Sequence, residues 1–163
     1  MNEGRGRSFV VFRLGAELYG VPVEGINSII RYEMSTPVPR SPQSVLGVIN
    51  LRGRVIPVID LGHRFSGAEF VATGQSRIVV ADTESGLVGL AVDEANEVVE
   101  LSAESFRPIP EGVLAAETSK AFTGVAERDD SLIILLDLEE TIPHGANITG
   151  GSDVDEVGGV LDV

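Results

Sequence analysis

The chain contains no cysteine, which excludes thiolate nucleophiles, disulfide staples and zinc sites built on cysteine. Tryptophan is missing too, and aromatic residues make up only 5% of the sequence. A core must therefore come from Val, Ile, Leu and Ala, which supply most of the 43% hydrophobic fraction. Basic residues are scarce: 12 Lys and Arg stand against 25 Asp and Glu, a net charge of −13. Phosphate binding needs clustered cations, so no nucleic acid is expected as a partner, and no direct membrane binding through anionic headgroups. The plainest role of the acidity is solubility. No run approaches the roughly 18 apolar residues of a spanning helix. The N-terminus enters a strand-like run with no apolar region before a cleavage site, so a cytoplasmic location is expected.

Catalytic machinery is also thin. The 163 residues include two histidines, and neither His63 nor His144 has a second ligand at metal-binding spacing. No Gly-x-Ser-x-Gly elbow and no Walker loop occurs. No metal, cofactor or catalytic residue is therefore expected, and the chain reads as a non-enzyme. Carboxylates are plentiful, which leaves a carboxylate-based hydrolase as the remote alternative. Asp60 and Asp137, however, each end a strand-like run before Leu, a place where an acid caps a turn or helix.

What is present is β pattern. Short runs rich in β-branched residues, such as 9–14, 54–59, 77–81 and 132–136, are bounded by Gly, Asp, Asn or Ser. Gly15-Ala16-Glu17 and 82–86 fall between such runs and suit hairpin turns. Pro22 and Pro57 lie inside strand-like runs and suggest edges or bulges. Few helices are expected: 23–30, a short one near Ser102 to Phe106 capped by Ser102, and a turn at Leu138-Glu139-Glu140. On a helix, Ile26, Ile29 and Ile30 would share one face.

An internal repeat organises these runs. Residues 20–30 align without gaps on 89–99 at an offset of 69, and Pro37-Val38-Pro39 matches Pro108-Ile109-Pro110 at 71. Gly47-Val48 and Val55 to Leu61 then match Gly124-Val125 and Leu132 to Leu138 at 77. One small β unit is used twice, and two such units must pack together to bury enough surface. Binding is expected at their seam, near Ile26, Ile29 and Ile30 and the repeat-related Ala95, Val98 and Val99. The division is expected at about 8–66 and 74–142, with room for strand exchange at the ends. Residues 1–7 form a flexible leader and 145–163 a Gly-rich acidic tail without Lys or Arg, expected to be disordered.

The block Gly47-Val48-Ile49-Asn50-Leu51-Arg52-Gly53-Arg54-Val55-Ile56-Pro57-Val58-Ile59-Asp60-Leu61 resembles the signature of the CheW family. Supporting similarities run from Phe9 to about Glu140, including Thr36-Pro37-Val38-Pro39, Phe106-Arg107-Pro108-Ile109-Pro110 and Leu132 to Leu138. The resemblance implies an all-β fold of two five-stranded SH3-like barrels related by a pseudo-twofold axis. It implies an adaptor that couples the cytoplasmic tip of chemoreceptors to the regulatory domain of a CheA-type histidine kinase, and a monomer when free. A coupler in a non-chemotactic array, for surface motility or development, is the alternative within the family. Matched residue by residue, the receptor groove is Val10, Val23, Ile26, Ile29 and Ala95, the signature coupling arginine is Arg52, and the kinase or ring contact is Arg107. Many members carry glutamate at the position of Ser28, where it can pair with that arginine; here the partner is missing.

Overall fold

In the computed structural model, residues 6–110, 112–113 and 119–142 are described, except for the side chains of Asn96 and Ser119. The acidic tail, His144 and residues 1–5 of the leader lie outside them, whereas Arg7 already belongs to the first strand. In chain order the strands are β1 (Arg7–Leu14), β2 (Glu17–Pro22), β3 (Ile26–Arg31), β4 (Val45–Leu51), β5 (Arg54–Asp60), β6 (Arg77–Thr83), β7 (Gly86–Val92), β8 (Glu94–Leu101), β9 (Phe106–Arg107), β10 (Phe122–Arg128) and β11 (Ser131–Leu136). Two short helices follow β5 and β11, α1 (Leu61–Ser66) and α2 (Leu138–Thr141). The fold is all-β, in two sheets of order β8-β1-β2-β11-β10-β9 and β3-β6-β7-β5-β4.

The repeat is visible in the pairing. Val58 faces Gly89 in the parallel β5–β7 ladder, and Leu135 faces Gly20 in the parallel β11–β2 ladder. These are the same contact made twice, with the partner taken from the other copy each time. Each sheet takes strands from both copies of the repeat. The β1–β2 hairpin joins the sheet of β8 to β11, and the β6–β7 hairpin joins that of β3 to β5. A core cluster around Phe12, Val21, Ile59, Leu61, Leu90 and Leu136 spans both halves of the chain.

Local details repeat as well. Asp60 accepts from His63 N at 3.0 Å at the start of α1, and Asp137 accepts from Glu140 N at 3.1 Å at the start of α2. Both acids are therefore N-caps. Asp60 accepts a second backbone bond from Phe70 N at 2.9 Å, so both of its oxygens are in use. Gly47 and Gly124, at φ 154 and 159, sit at matching register shifts in β4 and β10.

The sequence expectations need correction at four places. No helix covers 23–30: a 3-10 turn at Val23–Gly25 leads straight into β3, where pairing with β6 from Ile26↔Ala81 to Arg31↔Arg77 outweighs the helical spacing. Ile26 and Ile30 are half-buried against different core clusters, and Ile29 is exposed. The turn near 102–106 forms as Ala103–Ser105, but the Ser102 side chain does not cap it. Pro22 and Pro57 lie in interior strands, each just beyond the stretch that pairs with the parallel neighbour, so no ladder bond is lost there. Helix α1 forms where no helix is expected, and Gly67, at φ 80, is its C-cap.

Candidate partner-binding seam

The five groove residues divide into two groups. Val10 is 1% exposed and belongs to the large core cluster, against which the half-buried Val23, Ile26 and Ala95 also pack. These four lie together. Ile29 stands apart, 41% exposed on β3, an edge strand, where it pairs with the buried Val79. Its repeat mate Val98 is 57% exposed on β8, an edge strand of the other sheet, where it pairs with the buried Val10. Beta branching favours both residues in strands, and a register shift in each ladder helps set which side they show. The β8 edge abuts β6, the neighbour of β3, so the two exposed residues flank the seam between the sheets.

Arg52 stands at the tip of the β4–β5 hairpin. Arg52 and Gly53 both have positive φ, 52 and 87, which makes the two-residue loop a type I′ turn. Asn50 Oδ1 accepts from Gly53 N at 2.8 Å and holds the tip closed. The Arg52 side chain is exposed and makes no hydrogen bond or ion pair among the described residues. The Ser28 hydroxyl is buried without a partner. No acid has taken over the place of the frequent glutamate.

Arg107 lies on β9 at the other edge of the larger sheet, paired to β10. Its guanidinium donates to the carbonyls of Glu104 and Phe106 at 2.7 and 2.9 Å and lies 3.6 Å from Glu127. Three contacts on one exposed side chain hold the head in place at the rim. The Glu127 pair alone would contribute less than about 1 kcal/mol.

Sequence reasoning missed one feature of this surface. The hairpin tip that matches Arg52-Gly53 at the offset of 77 is Asp129-Asp130, also a turn with positive φ at both residues, 51 and 66. Val55 and Leu132, which follow the two tips, are 63% and 56% exposed. The fold thus presents the same apolar corner twice, once with a basic tip and once with an acidic one. The two tips fall between the aligned blocks at the same offset, so the opposition is legible in the sequence, whereas the exposure is not.

Three side chains have displaced pKa values. Burial and then the charge of Glu17 raise Tyr19, and burial and then Asp60 raise Tyr32. Burial lowers Arg64, against the opposing pull of Glu140. Arg64, on α1, donates to the carbonyls of Thr141 and Glu140 at the end of α2 and ties the two helices together. Among the described residues no group of His, Asp and Glu could hold a metal ion, and no helix is long and apolar enough to cross a membrane.

Comparison with known proteins places the surface in a family. The family model described as CheW-like domain matches residues 8–145. Chemotaxis protein CheW of Klebsiella aerogenes is 31% identical over 137 residues, 84% of this chain and 82% of the relative. Chemotaxis protein CheW of Bacillus subtilis is 33% identical over 132 residues, 81% of this chain and 84% of the relative. Protein FrzA of Myxococcus xanthus is 33% identical over 110 residues, 68% of this chain and 69% of the relative. The crystal structure of the scaffolding protein TtCheW from Thermoanaerobacter tengcongensis superposes with a TM-score of 0.77 at 31% identity, over 86% of this chain and 90% of that one. The two-sheet, all-β fold is thus that of the CheW-like family, and the chain belongs to it.

Proposed function

We propose that this chain is a non-enzymatic cytoplasmic adaptor that couples chemoreceptors to a CheA-type histidine kinase in chemosensory signalling. The observation that carries this reading is the pair Ile29 and Val98, repeat-related apolar residues left exposed on the two edge strands beside the seam. An amphipathic helix laid along such a seam covers both, while Val23, Ile26 and Ala95 form the sloping walls; this is helix-in-groove recognition. Val10 acts from beneath, as packing that fixes the wall. Arg52, exposed and uncommitted, is available to an acid on the partner, and Arg107 presents a pre-positioned guanidinium on a different edge. Two modest interfaces on separate faces suit a coupler whose hold on an array rises through multivalency.

Reconstitution of kinase activity with and without this chain and a receptor fragment tests the reading directly. Ile29→Asp should weaken pull-down of the receptor fragment by about tenfold or more, with the thermal midpoint moved by no more than a few degrees. Arg52→Glu should leave the fold intact and abolish receptor control of the kinase. Wild-type receptor capture by Ile29→Asp would remove the groove assignment. Kinase output that ignores the wild-type chain would remove the coupler reading altogether. The similarity to FrzA, whose name does not specify chemotaxis, favours a second reading as coupler of a non-chemotactic array. Receptor fragments from the two kinds of system, compared in the same assay, separate these.

A further inference from the structure

A pocket of about 460 Å³ opens between the β1–β2 turn, the loop after α1, and Asp93. It lies within the size range of small-ligand sites. Its walls are aromatic: Tyr19, Phe65 and Phe70 all line it. Tyr19 stacks between Phe12 and Phe65, with centroids 6.1 and 5.8 Å away and planes within 12° and 19° of parallel. Its charge is all of one sign. Glu17, Asp60, Glu69 and Asp93 line the pocket, and no Lys, Arg or His does.

Not all of these acids are free. Asp60 is saturated by backbone N–H groups, and Asp93 Oδ2 accepts from Gly15 N at 2.6 Å. Glu17 and Glu69 are exposed and have no hydrogen bond or ion pair among the described residues. The cation nearest in sequence, Arg13, is taken by Glu94 at 3.1 Å and by the Gly15 carbonyl at 2.6 Å. Tyr19 supplies an independent sign of a ligand. It is only 9% exposed, yet its hydroxyl makes no hydrogen bond among the described residues and is not among the sealed-off polar atoms. An accessible, unpartnered hydroxyl on a mostly buried ring that lines the pocket is a position a ligand can bond to.

We propose that this pocket binds a small organic cation, an ammonium or guanidinium group on an apolar body. The aromatic rings give the ligand's apolar body a surface to pack on, the two uncommitted glutamates supply the counter-charge, and the Tyr19 hydroxyl meets a polar group on the ligand. A hydrated metal ion fits less well, because the free acids sit at the rim and the walls offer no further oxygen donors in a cluster.

The chain reports on the site by itself, since it has two tyrosines and no tryptophan. Tyr19 lines the pocket, and Tyr32 packs on the lining residue Phe70 at 4.8 Å. Tyrosine emission of the full chain is titrated with choline and with ethylguanidinium at constant ionic strength. Sodium chloride and the uncharged carbon isostere of choline serve as controls. A saturable change with at least one organic cation, and a much weaker one with both controls, is expected. Glu17→Gln combined with Glu69→Gln should weaken the response by about tenfold with unchanged circular dichroism. Tyr19→Phe keeps the wall and should weaken it by a smaller factor, read by amide shifts in place of emission. No saturable response, an equal response to the isostere or to sodium chloride, or undiminished affinity in the double variant would each overturn the proposal.

Discussion

Asp60 shows how one side chain can hold three elements. It ends β5, caps α1 through His63 N and gathers the returning loop through Phe70 N, all from a position 3% exposed. Asp60→Ala leaves two half-buried donors without their carboxylate and should cost about 2 kcal/mol, whereas Asp137→Ala removes a single side-chain cap and should cost about 1 kcal/mol. Urea midpoints of the two variants check the order; equal losses would contradict it. The tyrosines set an alkaline limit. Both have pKa values raised above the usual 10.0, so the folded state favours the neutral phenols. Their contribution is intact below the unfolded value and is lost as pH rises through the folded ones, because the unfolded chain ionises first. Stability should therefore fall as pH rises through 10.0 and beyond, and Tyr19→Phe should reduce that fall. Urea titrations across this window measure it.

At the scale of elements, β4 bends because it contains Gly47. A Cβ there would penetrate the carbonyl of Thr36, the residue whose bridge to Val48 ties the chain after β3 back onto β4. Gly124 plays the same part in β10, where a Cβ would come within 2.9 Å of the Arg107 carbonyl. Gly47→Ala should cost about 3 kcal/mol, because backbone must move as well as twist. Gly53→Ala has open space around the new methyl and should cost only about 1 kcal/mol, for its positive φ alone. Thermal midpoints compare the two, and a milder effect at Gly47 would undo the packing explanation. Segment 23–30 shows where sequence periodicity misleads. Three isoleucines at helical spacing fit one face of a helix, yet β-branching at Ile29 and Ile30 and a free ladder on β6 favour a strand.

For the whole molecule the decisive contact is between the copies of the repeat. With β5 paired to β7 and β11 paired to β2, neither half of the chain contains a complete sheet. The core cluster follows the same rule, drawing Phe12 and Leu61 from one half and Leu90 and Leu136 from the other. Fragments 1–72 and 73–163 should therefore show no cooperative thermal transition when separate, and should recover one, with native-like far-UV circular dichroism, when co-refolded. Independent folding of either fragment would refute the dependence. Interleaving also bears on the proposed function, because the seam beside Ile29 and Val98 lies between two sheets that share one core cluster, so opening it would expose that core. A rigid seam loses little entropy on binding a helix.

The sequence by itself determined what depends on near neighbours. Alternation marked the strands, Gly and Asn marked the turns, the acids at 60 and 137 marked the caps, and the repeat marked the duplication. The block around Arg52 resembled one family strongly enough to suggest the partners. Only the tertiary structure decided which copy each hairpin joins, that Val10 is covered while Ile29 is exposed, that Val98 stands opposite it, and that three aromatic rings and two free glutamates surround one pocket. The physical reason is the range of the interactions. Backbone preferences act over a few residues and leave a local trace, whereas exposure and pairing depend on which distant segment packs alongside, and a run such as Ile26 to Arg31 has the same composition whichever side its neighbour takes.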